Sequence, residues 1–203
     1  MSERSERTSL DEVVEALAAG LPVVVPTDTV YGVAVDPSRP GATDRLFEVK
    51  ERPTEAALPV LAADVDQAFA LAGEVPPAAR RLAEAFWPGG LTLVVPRRPG
   101  LGYDLGGLDD LTIGVRVPDH DVVRSLARRV GPLAATSANL HGRPTPETAA
   151  GVVAELGDRV AVVLDGGVCA GAPSTVVACA VDGSVAVLRE GRIPAAAIHA
   201  ALE

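Results

Sequence analysis

"HDVVRSLARRVGPLAATSAN", residues 120–139, is the stretch that decides the fold. In its first half, "HDVVRSLARRV", apolar side chains recur at helical spacing with arginines between them, the pattern of an amphipathic helix. In its second half, "PLAAT" is a short continuous apolar run, which reads as a buried strand, and this strand delivers "SAN" at its end. Upstream, "PVVVP", "LPVLAAD", "GLTLVVP" and "LTIGVRVP" read as further apolar strands; downstream, "RVAVVLDGG", "STVVACAV" and "SVAVLREG" do the same. Helices are predicted from the Ser9–Glu12 capping box, through Leu46, Phe47 and Val49, after Asp64, in "PPAARRLAEAFW" and from Pro194. One more is expected in "TPETAAGVVAEL", with Thr145 as its cap and Pro146 at its first position.

Strands and helices interleave without a repeat or a change in composition. This predicts an α/β fold: one domain over residues 9–203 with a twisted mixed sheet, partly parallel, and flanking helices. The continuous apolar strands suit a sheet covered on both faces. Residues 1–8 are polar and expected to be flexible.

At 203 residues, 48% hydrophobic but only 3% aromatic, the chain can bury an aliphatic core. Its net charge of −9 disfavours a broad, sequence-independent grip on nucleic acid. Cys169 and Cys179 have no CxxC or metal spacing and read as buried thiols in a reducing compartment. No apolar segment reaches membrane-spanning length and no signal peptide is visible, so a soluble, cytoplasmic protein with no membrane partner is expected.

Two singular residues stand out. Lys50 is the only lysine, the other seventeen cations among Lys and Arg being arginine, and Asn139 is the only asparagine. In "KERP", Lys50 and Arg52 are two apart and would share one side of an extended segment, a pairing useful around a polyphosphate; the alternative is a solvated helix end. In "TSAN", Ser137 and Asn139 share a side at the end of a buried strand, where open α/β sheets bind ligands; the alternative is a turn or cap. "PTDTVYG" and "GAPSTVV" bring Thr27, Asp28, Thr29, Ser174 and Thr175 to strand ends. Arg116 interrupts an apolar strand and needs either an internal carboxylate or a carboxylate ligand. "WPGG" reads as architecture. No P-loop is present, and the three histidines show no metal spacing.

In order along the chain, "PTDTVYGVAVD", "FEVKERP", "FWPGGLTLVV", "IGVRVPDH", "SANLHGRPTP", "GAPSTVV" and "LREGRI" resemble the YrdC-like family of threonylcarbamoyl-AMP synthases over residues 10–195. The resemblance implies a YrdC-like fold around a concave, positively charged cavity. It implies a nucleotidyltransferase that joins ATP, bicarbonate and L-threonine into threonylcarbamoyl-adenylate, with Mg²⁺ accompanying ATP and no protein-ligated metal. The product would pass to a downstream tRNA threonylcarbamoyl transferase, with weak tRNA contact as a further expectation. Lys50 and Arg52 match the family's KxR motif and are the expected catalytic cations. Ser137 and Asn139 match its SxN motif. Thr54, Thr112, Thr145 and Arg189 match further ATP-site positions, and Thr27, Arg116, Ala135 and Ser174 match the threonine site. The chain departs from the family pattern at Ala56-Ala57, Glu190 and His141, and is expected to lack the C-terminal domain of longer members. Two other readings accompany this one: a paralogue making a carbamoyl-adenylate of another amine or from another carbamoyl donor, for which Ala56-Ala57 is the support, and an RNA-binding module.

Overall fold

Ser9 begins the first helix as its sequence predicts. Its hydroxyl accepts from the Glu12 backbone N–H while the Glu12 carboxylate accepts from Ser9, a reciprocal cap on α1 (Leu10–Ala18). The structure is a computed structural model that describes residues 9–51, 57–108 and 110–203. Residues 1–8, Arg52 and Thr54 lie outside the described residues.

After α1 come β1 (Val23–Val25), β2 (Gly32–Val35), α2 (Ala42–Lys50), β3 (Val60–Leu61), α3 (Val65–Phe69), α4 (Pro77–Phe86) and β4 (Leu91–Pro96). The chain continues through β5 (Thr112–Arg116), α5 (Asp121–Val130), β6 (Leu133–Ser137), α6 (Ala149–Leu156), β7 (Val162–Val163), β8 (Thr175–Cys179), β9 (Val185–Arg189) and α7 (Ala195–Ala200). Among the described residues the strands form one sheet of nine, ordered β7-β1-β2-β6-β3-β5-β4-β8-β9. The pairs β1–β7, β3–β5 and β4–β8 are parallel and the rest antiparallel, so the sheet is mixed as expected.

Strand alternation sorts the side chains onto two faces. On one face, Val33, Val60, Leu93, Val95, Ile113, Val115 and Val177 join apolar residues of α2, α4, α6 and α7 in the larger core. On the other, Val23, Ala34, Ala135, Leu133 and Leu61 pack with Val13 and Leu17 of α1 and with Val123 and Leu126 of α5. The register carries this second face across the sheet: Leu61 pairs with Arg116, Val94 with Gly114, and Thr92 with Val176. Helices α1 and α5 stop short of it there, since no described residue of β4, β5 or β8 joins their cluster. Both faces are therefore covered at one end of the sheet, as the apolar strands suggest. At the other end one face is left open.

Two local expectations need correction. The helix expected from Thr145 begins at Ala149, capped by Thr148, whose side chain accepts from the Gly151 N–H. Thr145 instead donates its hydroxyl to Asn139 Oδ1, which holds it away from the helix axis. Lys50 is not in an extended segment: it is the last residue of α2, and Glu51 follows with φ 50°, a left-handed turn that ends the helix. Nor is this helix end solvated, because Lys50 is only 2% exposed.

Candidate active site

The open half-face holds a cavity of about 340 Å³. Thr112, Gly114 and Arg116, alternate residues of β5, line it together with Thr92 and Val94 of β4 and Val176 of β8. Ala135 and Ser137 at the end of β6 form a wall, and Thr27, Thr29, Thr145, Ser174 and Arg189 close the rim. Gly114 keeps the floor low: a Cβ there would lie 3.3 Å from Pro59 and 3.6 Å from Thr92 Cγ2. Eight residues that the resemblance matched to ligand sites thus meet in one place: Thr27, Thr112, Arg116, Ala135, Ser137, Thr145, Ser174 and Arg189.

Lys50 and Asn139 stand one layer behind that wall. Lys50 Nζ donates to the carbonyls of Ser137 and of Asn139, the latter at 2.8 Å, and lies 3.4 Å from Ser137 Oγ and 3.3 Å from Asn139 Oδ1. The Asn139 amide donates to the carbonyls of Leu140 and Arg143 at 2.8 and 2.7 Å, and its oxygen also accepts from Thr145 Oγ1. One ammonium and one amide therefore fix the turn that carries Ser137 and the loop that carries Thr145. These contacts show Asn139 holding a turn, while its neighbours Ser137 and Thr145 line the cavity.

Arg116 resolves its two sequence alternatives in favour of an internal carboxylate, though not to saturation. Nη2 meets Asp28 Oδ1 at 2.6 Å, Nη1 donates to Thr29 Oγ1 at 3.1 Å, and Nε donates to the Gly89 carbonyl at 2.9 Å. A guanidinium carries five N–H donors, so two remain, one on each terminal nitrogen. Both partners of the ion pair are buried, with side chains 7% and 9% exposed. Burial pushes the Arg116 pKa down, Asp28 pulls it back up, and the nearby Arg192 and Arg189 push it down again. Three arginines thus converge on one end of the cavity, with Asp28 as the carboxylate facing them, and the balance favours an anion.

The rim beside Arg116 is tied just as tightly. Arg189 donates to the Ser174 carbonyl through Nε and Nη2, and Nη2 also reaches Ser174 Oγ at 3.2 Å. Ser174 Oγ shares a 2.9 Å hydrogen bond with Thr92 Oγ1 inside the cavity floor. Thr27 closes its own turn by donating to the Val30 carbonyl at 2.6 Å and accepting from the Thr29 and Val30 N–H groups. Close backbone approaches lock the loops together. A Cβ on Gly171 would fall 2.4 Å from the Thr29 carbonyl, and one on Gly191 2.2 Å from the Pro173 carbonyl.

Sequence reasoning did not assign Asp28, Thr29, Thr92, Gly89 or Arg192 to the site. Asp28 and Thr29 were visible between Pro26 and β2, and the one signal for Thr92, a hydroxyl inside an apolar strand, was not used. Gly89 in the "WPGG" turn supplies an acceptor to Arg116 as well as architecture. Arg192, which donates to the Asp28 carbonyl, gave no signal beyond its place after "LREG". Among the described residues no group of three or more His, Cys, Asp or Glu side chains is placed to hold a metal ion. Among them, too, no helix is long and apolar enough to cross a membrane.

Comparison with known proteins follows the same outline. The Sua5/YciO/YrdC family model, described as "Telomere recombination", matches residues 15–191. The threonylcarbamoyl-AMP synthase of Bacillus subtilis is 40% identical over 184 residues, covering 89% of this chain and 52% of its own length. A crystal structure of Sua5 from P. abyssi complexed with L-threonine superposes with a TM-score of 0.88 at 33% identity, covering 98% of this chain and 59% of that one. The crystal structure of E. coli YciO gives a TM-score of 0.81 at 25% identity, covering 90% and 88%. The chain therefore spans little more than half the length of the first two relatives.

Proposed function

The chain belongs to the Sua5/YciO/YrdC family, and from that premise we propose that it is an L-threonylcarbamoyl-adenylate synthase using ATP, bicarbonate and L-threonine. The observation that carries the proposal is Arg116. It is a buried cation on the cavity floor, held on three sides by the protein and retaining an N–H on each terminal nitrogen. Such a fork suits the carboxylate of an amino acid.

In the proposed reaction the threonine amine attacks CO₂ released from bicarbonate, forming an N–C bond and losing a proton, to give a carbamate. A carbamate oxygen then attacks the α-phosphorus of ATP while the bond to the β-phosphate oxygen breaks, and pyrophosphate leaves. No side chain need form a covalent bond. The cavity supplies donors and fixed positive charge, the means by which such transfers are accelerated. Arg189 and the hydroxyls of Ser137, Thr112 and Thr145 would face the nucleotide, while Arg116, Thr27, Ser174 and the backbone at Ala135 would face threonine. Lys50 and Asn139 would act through the turn that they hold, and Arg52 and Thr54 are proposed as additional nucleotide contacts. Mg²⁺ enters as part of the ATP substrate, since the cavity is rich in cations and its neighbouring carboxylate is engaged by Arg116. The adenylate would pass, in the cytoplasm, to a tRNA threonylcarbamoyl transferase.

The test is mass spectrometry of reactions containing ATP, Mg²⁺, bicarbonate and each amino acid in turn. A threonine-dependent carbamoyl-adenylate with matching pyrophosphate is the expected result. A product with a different amino acid would instead identify a paralogue of altered specificity, and no product with any would overturn the synthase reading.

A further inference from the structure

The cavity's anion-binding end is built around a carboxylate, an unusual neighbour for a site meant to receive another. Asp28 lies behind the lining and its side chain is 9% exposed. Its Oδ1 takes one N–H of Arg116, the adjacent Thr29 Oγ1 takes another, and the Gly89 carbonyl takes Nε. Its backbone carbonyl is gripped by Arg192 from the segment after β9. The acid is therefore fixed by both its side chain and its main chain, and the guanidinium cannot swing without breaking a buried ion pair.

We propose that Asp28 is a positioning and selectivity residue: it fixes the Arg116 fork and offsets its charge, so that the site takes the single charge of a carboxylate and disfavours a dianionic head group. The proposal rests on reading the cavity as an amino-acid site. Without Asp28, Arg116 and Arg189 on the lining, with Arg192 nearby, would present uncompensated positive charge to any anion entering the cavity. That field would favour a phosphate or phosphonate over a carboxylate. It would also invite the pyrophosphate product into the amino-acid end. With Asp28 ionised and paired to Arg116, a second negative charge on the ligand meets a fixed like charge in a poorly solvated place, where like charges repel strongly.

The experiment compares two ligands that differ in the head group, L-threonine and its aminophosphonic acid analogue, whose phosphonate is a dianion above neutral pH. Binding of each is measured by calorimetry on the parent and on Asp28→Asn, which keeps the size of the side chain and removes the charge. The parent is expected to bind threonine at least about tenfold tighter than the phosphonate. In Asp28→Asn that ratio should shrink by at least about fivefold, because the dianion gains most from the lost repulsion. A merely structural role would weaken both ligands together and leave the ratio unchanged, which would overturn the proposal. If Asp28→Asn fails to fold, the parent decides alone: equal affinity for the two head groups overturns the proposal. A parent that binds neither ligand removes the amino-acid reading itself and this inference with it. Threonine binding without discrimination removes the inference only.

Discussion

Lys50→Arg is the substitution that best separates a fitted ammonium from a mere positive charge. The ammonium of Lys50 sits 2.8 Å from the Asn139 carbonyl, against the Ser137 carbonyl, and within 3.4 Å of Ser137 Oγ and Asn139 Oδ1. The residue is 2% exposed, so no solvent gap is available to absorb a larger head group. A compact donor with three rotatable N–H bonds suits oxygens converging around a point, whereas a guanidinium is planar and longer. Fitting it must push the Ser137–Asn139 turn outward or the end of α2 back. Overpacking of this kind costs about 1–3 kcal/mol. At about 2–4 °C per kcal/mol for a chain of this length, the melting temperature should fall by roughly 2–12 °C. Ser137 lines the cavity, and a displacement of about 1 Å at such a group costs on the order of a hundredfold in rate. Thermal melting and pyrophosphate release at saturating threonine and bicarbonate measure the two effects side by side. Parent-like melting together with a parent-like rate would refute the argument and leave Lys50 as nothing more than a charge.

Arg116→Ala should weaken L-threonine binding by about 1.5–3 kcal/mol, the worth of hydrogen bonds to a charged group, while ATP affinity measured by titration stays near the parent value; equal losses of both would assign Arg116 a structural role. Burial pushes the Cys179 thiol up to about 11 from the ordinary value near 9, so the folded state keeps it protonated where the unfolded chain ionises. Its contribution to stability is complete below about pH 9 and is lost as the pH rises towards 11. Denaturant melts across that window should therefore show a steeper loss in the parent than in Cys179→Ala, and parallel curves would contradict the assignment.

The parts of the fold that were legible rest on local rules. The Ser9–Glu12 box, the Asp64 cap and the Pro77 helix start are written within four residues each, and the structure has all three. Arg116 was legible for a related reason: a cation between Val115 and Val117 contradicts its strand, and such a contradiction asks for a partner. The identity of that partner was not legible, because Asp28 is 88 positions away and reaches Arg116 only once β1, β2 and β5 are assembled into one sheet. The Thr145 error has a different cause. "TPETAA" offers two threonines as caps, and Pro146 makes the first look stronger. What decides between them is the hydrogen bond of Thr145 to Asn139, which no local pattern contains.

Lys50 and Asn139 were read from sequence as nucleotide-site residues, and the structure adds the protein contacts that each makes. Rarity marked them as irreplaceable, and a motif resemblance put them at the nucleotide. Neither observation distinguishes a group that touches a ligand from one that shapes the group that does. What sets Lys50 and Asn139 apart from Arg116 in the fold is saturation. Asn139 uses its oxygen and its amide on the protein, and the Lys50 ammonium is enclosed by the turn 87–89 residues downstream. By contrast, Arg116 keeps donors unused and lines the cavity. A buried polar group whose bonds are complete stabilises a shape, whereas one left incomplete beside a cavity is ready for a ligand. That criterion divides the candidate site into a saturated layer that sets geometry and an unsaturated layer that lines the cavity. In the proposed reaction, which needs no covalent catalyst, orientation would be the catalytic resource and the layer behind the wall would hold it.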